Sequence, residues 1–171
     1  MHSKPLITLL LALVLTSAAH AEDVFQDPRA FLEEVFQGDV PAPRKLWVKG
    51  DLKQQIRAVM DHDLGALRIR YWARDGRSAW ILEDLGKEQL ITTGLVVQDG
   101  ALALVRVLIY RESRGWEVKY PSFTDQFHGM RLGEGTALDH GVDGIAGATL
   151  SVRALTRLAR LALLLDRHVD A

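Results

Sequence analysis

The chain has 171 residues, 21 of them basic and 22 acidic, and no cysteine. The lack of cysteine excludes disulfides, thiolate metal sites, a Cys nucleophile and acylation at a Cys. The near balance of charge argues against a nucleic-acid partner, which usually draws a basic excess.

Residues 1–21 read as a secretory signal. Lys4 supplies the positive end, Leu6 to Leu15 the apolar run, and Ala19-His20-Ala21 the cleavage site. The apolar run is shorter than the roughly 20 residues of a membrane span. Cleavage leaves a single domain over residues 22–171. It holds 20 basic and 22 acidic residues, a formal charge of −2, and a periplasmic location is expected for it.

Asp27-Pro28 followed by Phe31, Leu32, Val35 and Phe36 predicts a short amphipathic helix, with Asp27 as N-cap and Pro28 first in the helix. Pro41 and Pro43 fix an extended link, and Leu52, Ile56, Val59 and Met60 repeat at helical spacing over residues 51–62. These elements make a helical N-terminal part, about residues 27–62.

The pattern then changes to period two. Leu67 to Tyr71 reads as a half-buried strand, Asp75-Gly76 as a hairpin turn and Ser78 to Leu82 as the return strand. A second hairpin runs from Leu90 to Val97, turns at Asp99-Gly100 and returns over Ala101 to Tyr110. Strict alternation in the return strand puts Ala101, Ala103, Val105, Val107 and Ile109 on one wholly apolar face, expected to meet the core. Residues 111–141 are loop-rich, yet Trp116, Tyr120, Phe123 and Phe127 argue against disorder there. Ser151 to His168 lacks Gly and Pro and is rich in Leu, Ala and Arg, which predicts a long final helix. The expected fold is α+β: a single domain, an antiparallel sheet of two hairpins packed with helices, and a long C-terminal helix. Its core spans about residues 65–168.

Just before that helix stands Asp143-Gly144-Ile145-Ala146-Gly147-Ala148-Thr149-Leu150-Ser151. Two small residues, Gly147 and Ala148, lead Thr149 into a helix N-terminus, where unpaired N–H groups and the dipole favour a phosphate. From spacing alone the segment also reads as a loop entering a capped helix, with Ser151 or Thr149 as N-cap.

This segment resembles the flavinylation motif Asp-x-x-Ser/Thr-Gly-Ala-Thr of the FMN-binding domain family. That family includes subunits of the sodium-pumping NADH:quinone oxidoreductase and of Rnf complexes. Glu112-Ser113-Arg114-Gly115 resembles the family's Glu-Thr-Pro-Gly loop. Phe123 to Gly129 resembles its aromatic-x3-Phe-x-Gly stretch, and the order of these parts matches over about residues 90–165. The resemblance implies FMN joined by a phosphoester to Thr149, with Asp143, Gly147 and Ala148 completing the motif. Ser151 is a rival hydroxyl. Glu112 is implied as a hydrogen-bond partner of the flavin, with a solvated strand-end carboxylate as the other reading. Trp116 is open between flavin and core, and Phe127 is assigned to the core. Two departures stand out: Ala146 replaces the family's Ser or Thr, and Arg114 replaces the Pro of the Glu loop.

Arg153, Arg157 and Arg160 share one helix face, read as solvated, with two sharper readings: Arg153 near the phosphate, or the stripe as a docking face for an acidic electron partner. No metal site is expected from His128 and His140. The implied function is a periplasmic electron-transfer flavoprotein, a carrier more than a complete oxidoreductase. The implied partners are a flavin transferase for maturation and a membrane or periplasmic electron donor and acceptor. Two alternatives stay open: an unflavinylated periplasmic binding or sensory module of the same fold, and a hydrolase using Thr149 or Ser151 with His140 and Asp143.

Overall fold

The computed structural model describes residues 22–169, so the expected signal segment lies outside the described residues. Among these residues no helix is long and apolar enough to cross a membrane.

Helix α1 (Pro28–Val35) begins as its capping chemistry predicts. The Asp27 carboxylate accepts from the Arg29 and Ala30 N–H groups at 2.8 and 3.1 Å. Helix α2 (Gly50–Met60) turns Leu52, Ile56, Val59 and Met60 inward. The two hairpins are β3 (Arg68–Arg74) with β4 (Arg77–Leu85), and β5 (Leu90–Gln98) with β6 (Ala101–Tyr110). The turn residues Asp75, Gly76, Asp99 and Gly100 all take positive φ, as a two-residue hairpin turn requires.

Two short strands join the hairpins at the sheet edges: β1 (Asp23–Val24) beside β6, and β2 (Arg44–Trp47) beside β3. The result is one antiparallel six-stranded sheet in the order β1-β6-β5-β4-β3-β2. Its single-domain α+β character agrees with the sequence.

The expectation for β6 needs correction. The β5–β6 register shifts between Thr92 and Thr93 and again between Val96 and Val97. Each shift places one extra residue in β6, and each extra residue exchanges the faces of the strand beyond it. The main core therefore takes Leu102, Val105, Val107 and Tyr110 from β6. Ala103, Leu104, Leu108 and Ile109 go to a smaller cluster under α1. The second exchange carries Tyr110 to the side of the final helix, where the candidate site lies.

The segment after β6 is ordered by short helical turns: Trp116–Lys119, α3 (Pro121–Thr124) and Asp125–Phe127. Phe123 and Phe127 are buried, edge to face with centroids 5.6 Å apart, so Phe127 is core as expected.

Helix α4 (Thr149–Asp166) starts two residues earlier than the sequence predicts, and its N-cap is Ala148, with no side-chain cap. Neither Thr149 nor Ser151 takes the capping role. The helix lies across the sheet on the side of α2, burying Leu155, Leu158, Leu161 and Leu165 among others. The Arg stripe is not a uniformly solvated face. The Arg157 guanidinium donates to the Asp84 carboxylate at 2.7 Å, and that of Arg160 donates to the Thr136 carbonyl at 2.5 Å. Arg153 alone of the three is exposed. Asp84 is buried in β4 and also meets His62 at 3.0 Å, so one carboxylate ties α4, β4 and the end of α2 together.

Candidate functional site

The α4 N-terminus is built by a chain of contacts that starts in β6. Burial raises the pKa of Tyr110 above its ordinary value, and a hydrogen bond with Ser151 acts the other way. The neutral phenol donates to the Arg114 carbonyl at 2.5 Å. Its single proton is spent there, so at 2.9 Å the Ser151 hydroxyl is the donor to the Tyr110 oxygen. Ser151 is only 5 % exposed. Its side chain is a rivet between α4 and β6, not a free hydroxyl.

Gly115 makes this junction possible. It stands at φ +81°, and a Cβ there would lie 3.0 Å from the Tyr110 oxygen, 3.1 Å from Ser151 Oγ and 3.2 Å from Ala148 Cβ. Gly147 at φ +82° makes the turn into the helix. The first bond of the helix runs from the Val152 N–H to the Ala148 carbonyl at 2.9 Å. The amides of Thr149, Leu150 and Ser151 precede it, and among the described residues no side chain caps them. Thr149 is exposed at the first helical position.

In front of this terminus lies an open groove of about 540 Å³, within the size range of small-molecule sites. Its walls are Gly147 to Ser151, the segment Glu112 to Arg114, and Lys87 and Glu88 from the β4–β5 loop. Glu112 does not extend into it as a free carboxylate. Its Oε1 accepts from three successive backbone amides, Lys87, Glu88 and Gln89, the latter two at 2.7 and 3.0 Å. Gly86 is needed beside it, because a Cβ there would lie 2.6 Å from that oxygen. Glu112 thus clamps the loop that forms one wall. Lys87 pairs with Glu88 at 2.9 Å. The groove therefore presents an exposed hydroxyl, uncapped helix amides and the Arg114 cation, while both of its carboxylates have partners. That donor set fits an organic phosphate.

Of the residues nominated from sequence, Thr149, Gly147, Ala148, Ser151 and Glu112 converge on the groove. Asp143, Trp116 and Arg153 are not among its lining residues. Asp143 is exposed, and its N–H donates to the Gln126 side chain at 2.8 Å. Trp116 stands edge-on to Tyr120, with centroids 5.7 Å apart. Ala146 is exposed and does not line the groove either. Lys87 and Tyr110 were not nominated. Their contribution depends on pairings between distant segments.

The hydrolase alternative loses its constellation: Ser151 faces Tyr110, and His140 faces Asp139 at 3.1 Å. Among the described residues no group of three His, Cys, Asp or Glu is placed to hold a metal ion. A second groove, about 570 Å³, runs beside β6 past Phe25, Arg106, Lys119 and Tyr120 and includes none of the nominated residues.

No curated protein and no solved structure gives a significant match to this chain. The family model described as FMN-binding domain matches residues 86–164, a span that begins at the clamped β4–β5 loop and ends inside α4. The groove lies within that span, so this part of the chain is similar to the FMN-binding domain family, a match that supports a flavin-binding role.

Proposed function

We propose that the chain carries FMN as a phosphoester on Thr149 Oγ1 and serves as a periplasmic electron carrier. One observation carries this reading. Of the two hydroxyls at the start of α4, that of Ser151 is buried and bonded to Tyr110, while Thr149 is exposed in the groove. The match to an FMN-binding domain supplies the cofactor class.

In this reading the phosphate is held by the amides of the first α4 turn, with Arg114 and Lys87 as the nearest groove cations. Bound FMN supplies redox chemistry through its isoalloxazine ring. The protein supplies attachment, position and electrostatics. Maturation is an exchange: the Thr149 hydroxyl and FAD give the Thr149 phosphoester and AMP. The bond broken is the pyrophosphate of FAD, and the hydroxyl proton is released. A Thr hydroxyl is a weak nucleophile, and neither Asp143 nor His140 lines the groove. A separate flavin transferase therefore supplies the base. Ala146 lies off the groove wall, so its missing hydroxyl leaves the acceptor in place.

The test is intact mass of the mature chain produced with an active flavin transferase, together with Thr149→Ala and Ser151→Ala. The wild type and Ser151→Ala should gain one FMN less one water, and Thr149→Ala should gain nothing. An unmodified wild type, with the transferase proven on another substrate, would sink the covalent reading. Weight would then move to an unflavinylated module. The electron donor is to be sought among membrane quinol or cytochrome-type partners, and the acceptor among membrane or periplasmic ones.

A further inference from the structure

The edge of the sheet farthest from β1 carries an unusual array. Strand β2 pairs with β3 so that Lys45 stands opposite Arg70 and Trp47 opposite Arg68. Opposed residues in an antiparallel pair share a face, and residues two apart on one strand do too. These four side chains therefore form a two-by-two array on one face. All four are exposed, Trp47 to 55 %. Helix α1 packs on β4 and β5 of the same side and leaves this corner uncovered.

The other cations along that side of the sheet have partners, and Arg77 donates to the Gln98 side chain and the Val35 carbonyl at 3.0 and 2.9 Å. Arg74 holds Asp39 at 2.6 Å, Arg106 holds Glu34 at 2.6 Å and Arg111 holds Glu22 at 2.7 Å. Lys45, Arg68 and Arg70 have no carboxylate within ion-pair distance among the described residues. Like charges placed directly across a strand pair, as Lys45 and Arg70 are, oppose the pairing. The mature chain as a whole is slightly acidic, so this concentration of positive charge is local.

We propose that this corner docks the protein on an anionic lipid surface. A layer of phosphate headgroups meets all three cations at once and relieves the Lys45–Arg70 repulsion. Long basic side chains reach the headgroups while their stems stay on the protein, and an exposed indole sits at the apolar–polar boundary. The array is formed by residues 45–70, outside the span matched by the FMN-binding domain. It stands apart from the Thr149 reading.

The test is flotation of the mature chain with vesicles of phosphatidylcholine containing two-fifths phosphatidylglycerol, and with pure phosphatidylcholine, in 50 and 300 mM salt. Binding is expected only to the anionic vesicles and should weaken at the higher salt. Removing each cation should cost about five-fold in partitioning, so K45Q/R68Q/R70Q should lose about 100-fold. K45R/R68K/R70K should bind as wild type, Trp47→Ala should bind more weakly, and Thr149→Ala should be unchanged. A control, K53Q/R153Q/R167Q, removes the same charge elsewhere and should keep most of the binding. Three outcomes would overturn the proposal: no binding to anionic vesicles, equal loss in the control, or an unaffected triple variant. Binding to polyglutamate without vesicle binding would also overturn it and assign the corner to an acidic protein.

Discussion

Glu112 and Gly86 offer a quantitative test of how the groove wall is held. Glu112→Ala removes the acceptor of three backbone N–H groups at once. A hydrogen bond to a charged group is worth about 1.5–3 kcal/mol where water is excluded. Lys87, Glu88 and Gln89 are exposed, so water takes over much of each bond. The expected loss is therefore about 2–3 kcal/mol in total. Glu112→Gln keeps an acceptor oxygen and should lose about 1 kcal/mol. Gly86→Ala places a Cβ 2.6 Å from the Glu112 oxygen, and relieving that overlap should cost about 1–3 kcal/mol. With Ala at position 112 the nearest remaining atom of another residue is Ile91 Cδ1 at 3.1 Å, so the same substitution should cost less than about 1 kcal/mol. The assay is urea unfolding of wild type, both single variants and the double, with amide exchange at residues 87–89 as the local readout. A coupling of about 1–2 kcal/mol is expected. Additivity within about 0.5 kcal/mol, or unchanged exchange in Glu112→Ala, would refute the clamp.

Gly115→Ala forces a side chain into φ +81° and against Tyr110, Ser151 and Ala148; it should cost about 2–3 kcal/mol in urea unfolding, and a loss below about 0.5 kcal/mol would contradict the close junction. Thr93 Oγ1 is buried with no hydrogen-bond partner among the described residues, so Thr93→Val should raise stability by about 1 kcal/mol, and a decrease would point to a partner for that hydroxyl. Burial raises the pKa of Asp166 above its ordinary 3.8, while the hydroxyl of Ser78, 2.6 Å away, lowers it. The folded state then binds this proton more readily than the unfolded chain, so the contribution of Asp166 to stability falls as pH rises from 3.8 through the folded pKa. Asp166→Asn keeps the acceptor and removes the charge; its stability advantage over wild type should grow from pH 4 to pH 7, and a flat or shrinking difference would reverse the assignment.

Much of this fold is legible because its elements obey local rules. Asp27-Pro28 caps α1 through its own side chain, and the Asp-Gly turns close both hairpins, as those residue types require. The edge strands are not legible. β1 has two residues, and β2 is two basic residues followed by two apolar ones after a Pro, with no alternation to read. The facing of β6 escapes a reading by alternation because a bulge has no composition of its own. It is a matter of register between two strands, and alternation counted along one of them misses it. The start of α4 departs from the expected capping because Ser151 finds a better-placed partner in Tyr110, 41 residues earlier. Thr149, Gly147 and Ala148 are legible because they are contiguous. The clamp of Glu112 on residues 87–89 joins segments 23–25 residues apart and leaves no sequence signal beyond the Glu itself.

The distance between those segments bears on how large the functional unit is. Residues 86–164 contain the groove but only part of what holds it. Strand β5 pairs along its whole length with β4, and β4 with β3, both upstream of residue 86. The face under α4 is completed by Trp80 and Leu82 of β4 and by Ile56, Val59 and Met60 of α2. Asp84 fixes Arg157 of the helix itself. Cut at residue 86, β5 would become an open edge and α4 would lose much of its floor, exposing apolar surface and unpaired backbone together. The N-terminal part is therefore no appendage to a self-sufficient cofactor domain. It supplies the part of the sheet on which α4 rests, and the position of the Thr149 hydroxyl depends on where α4 rests.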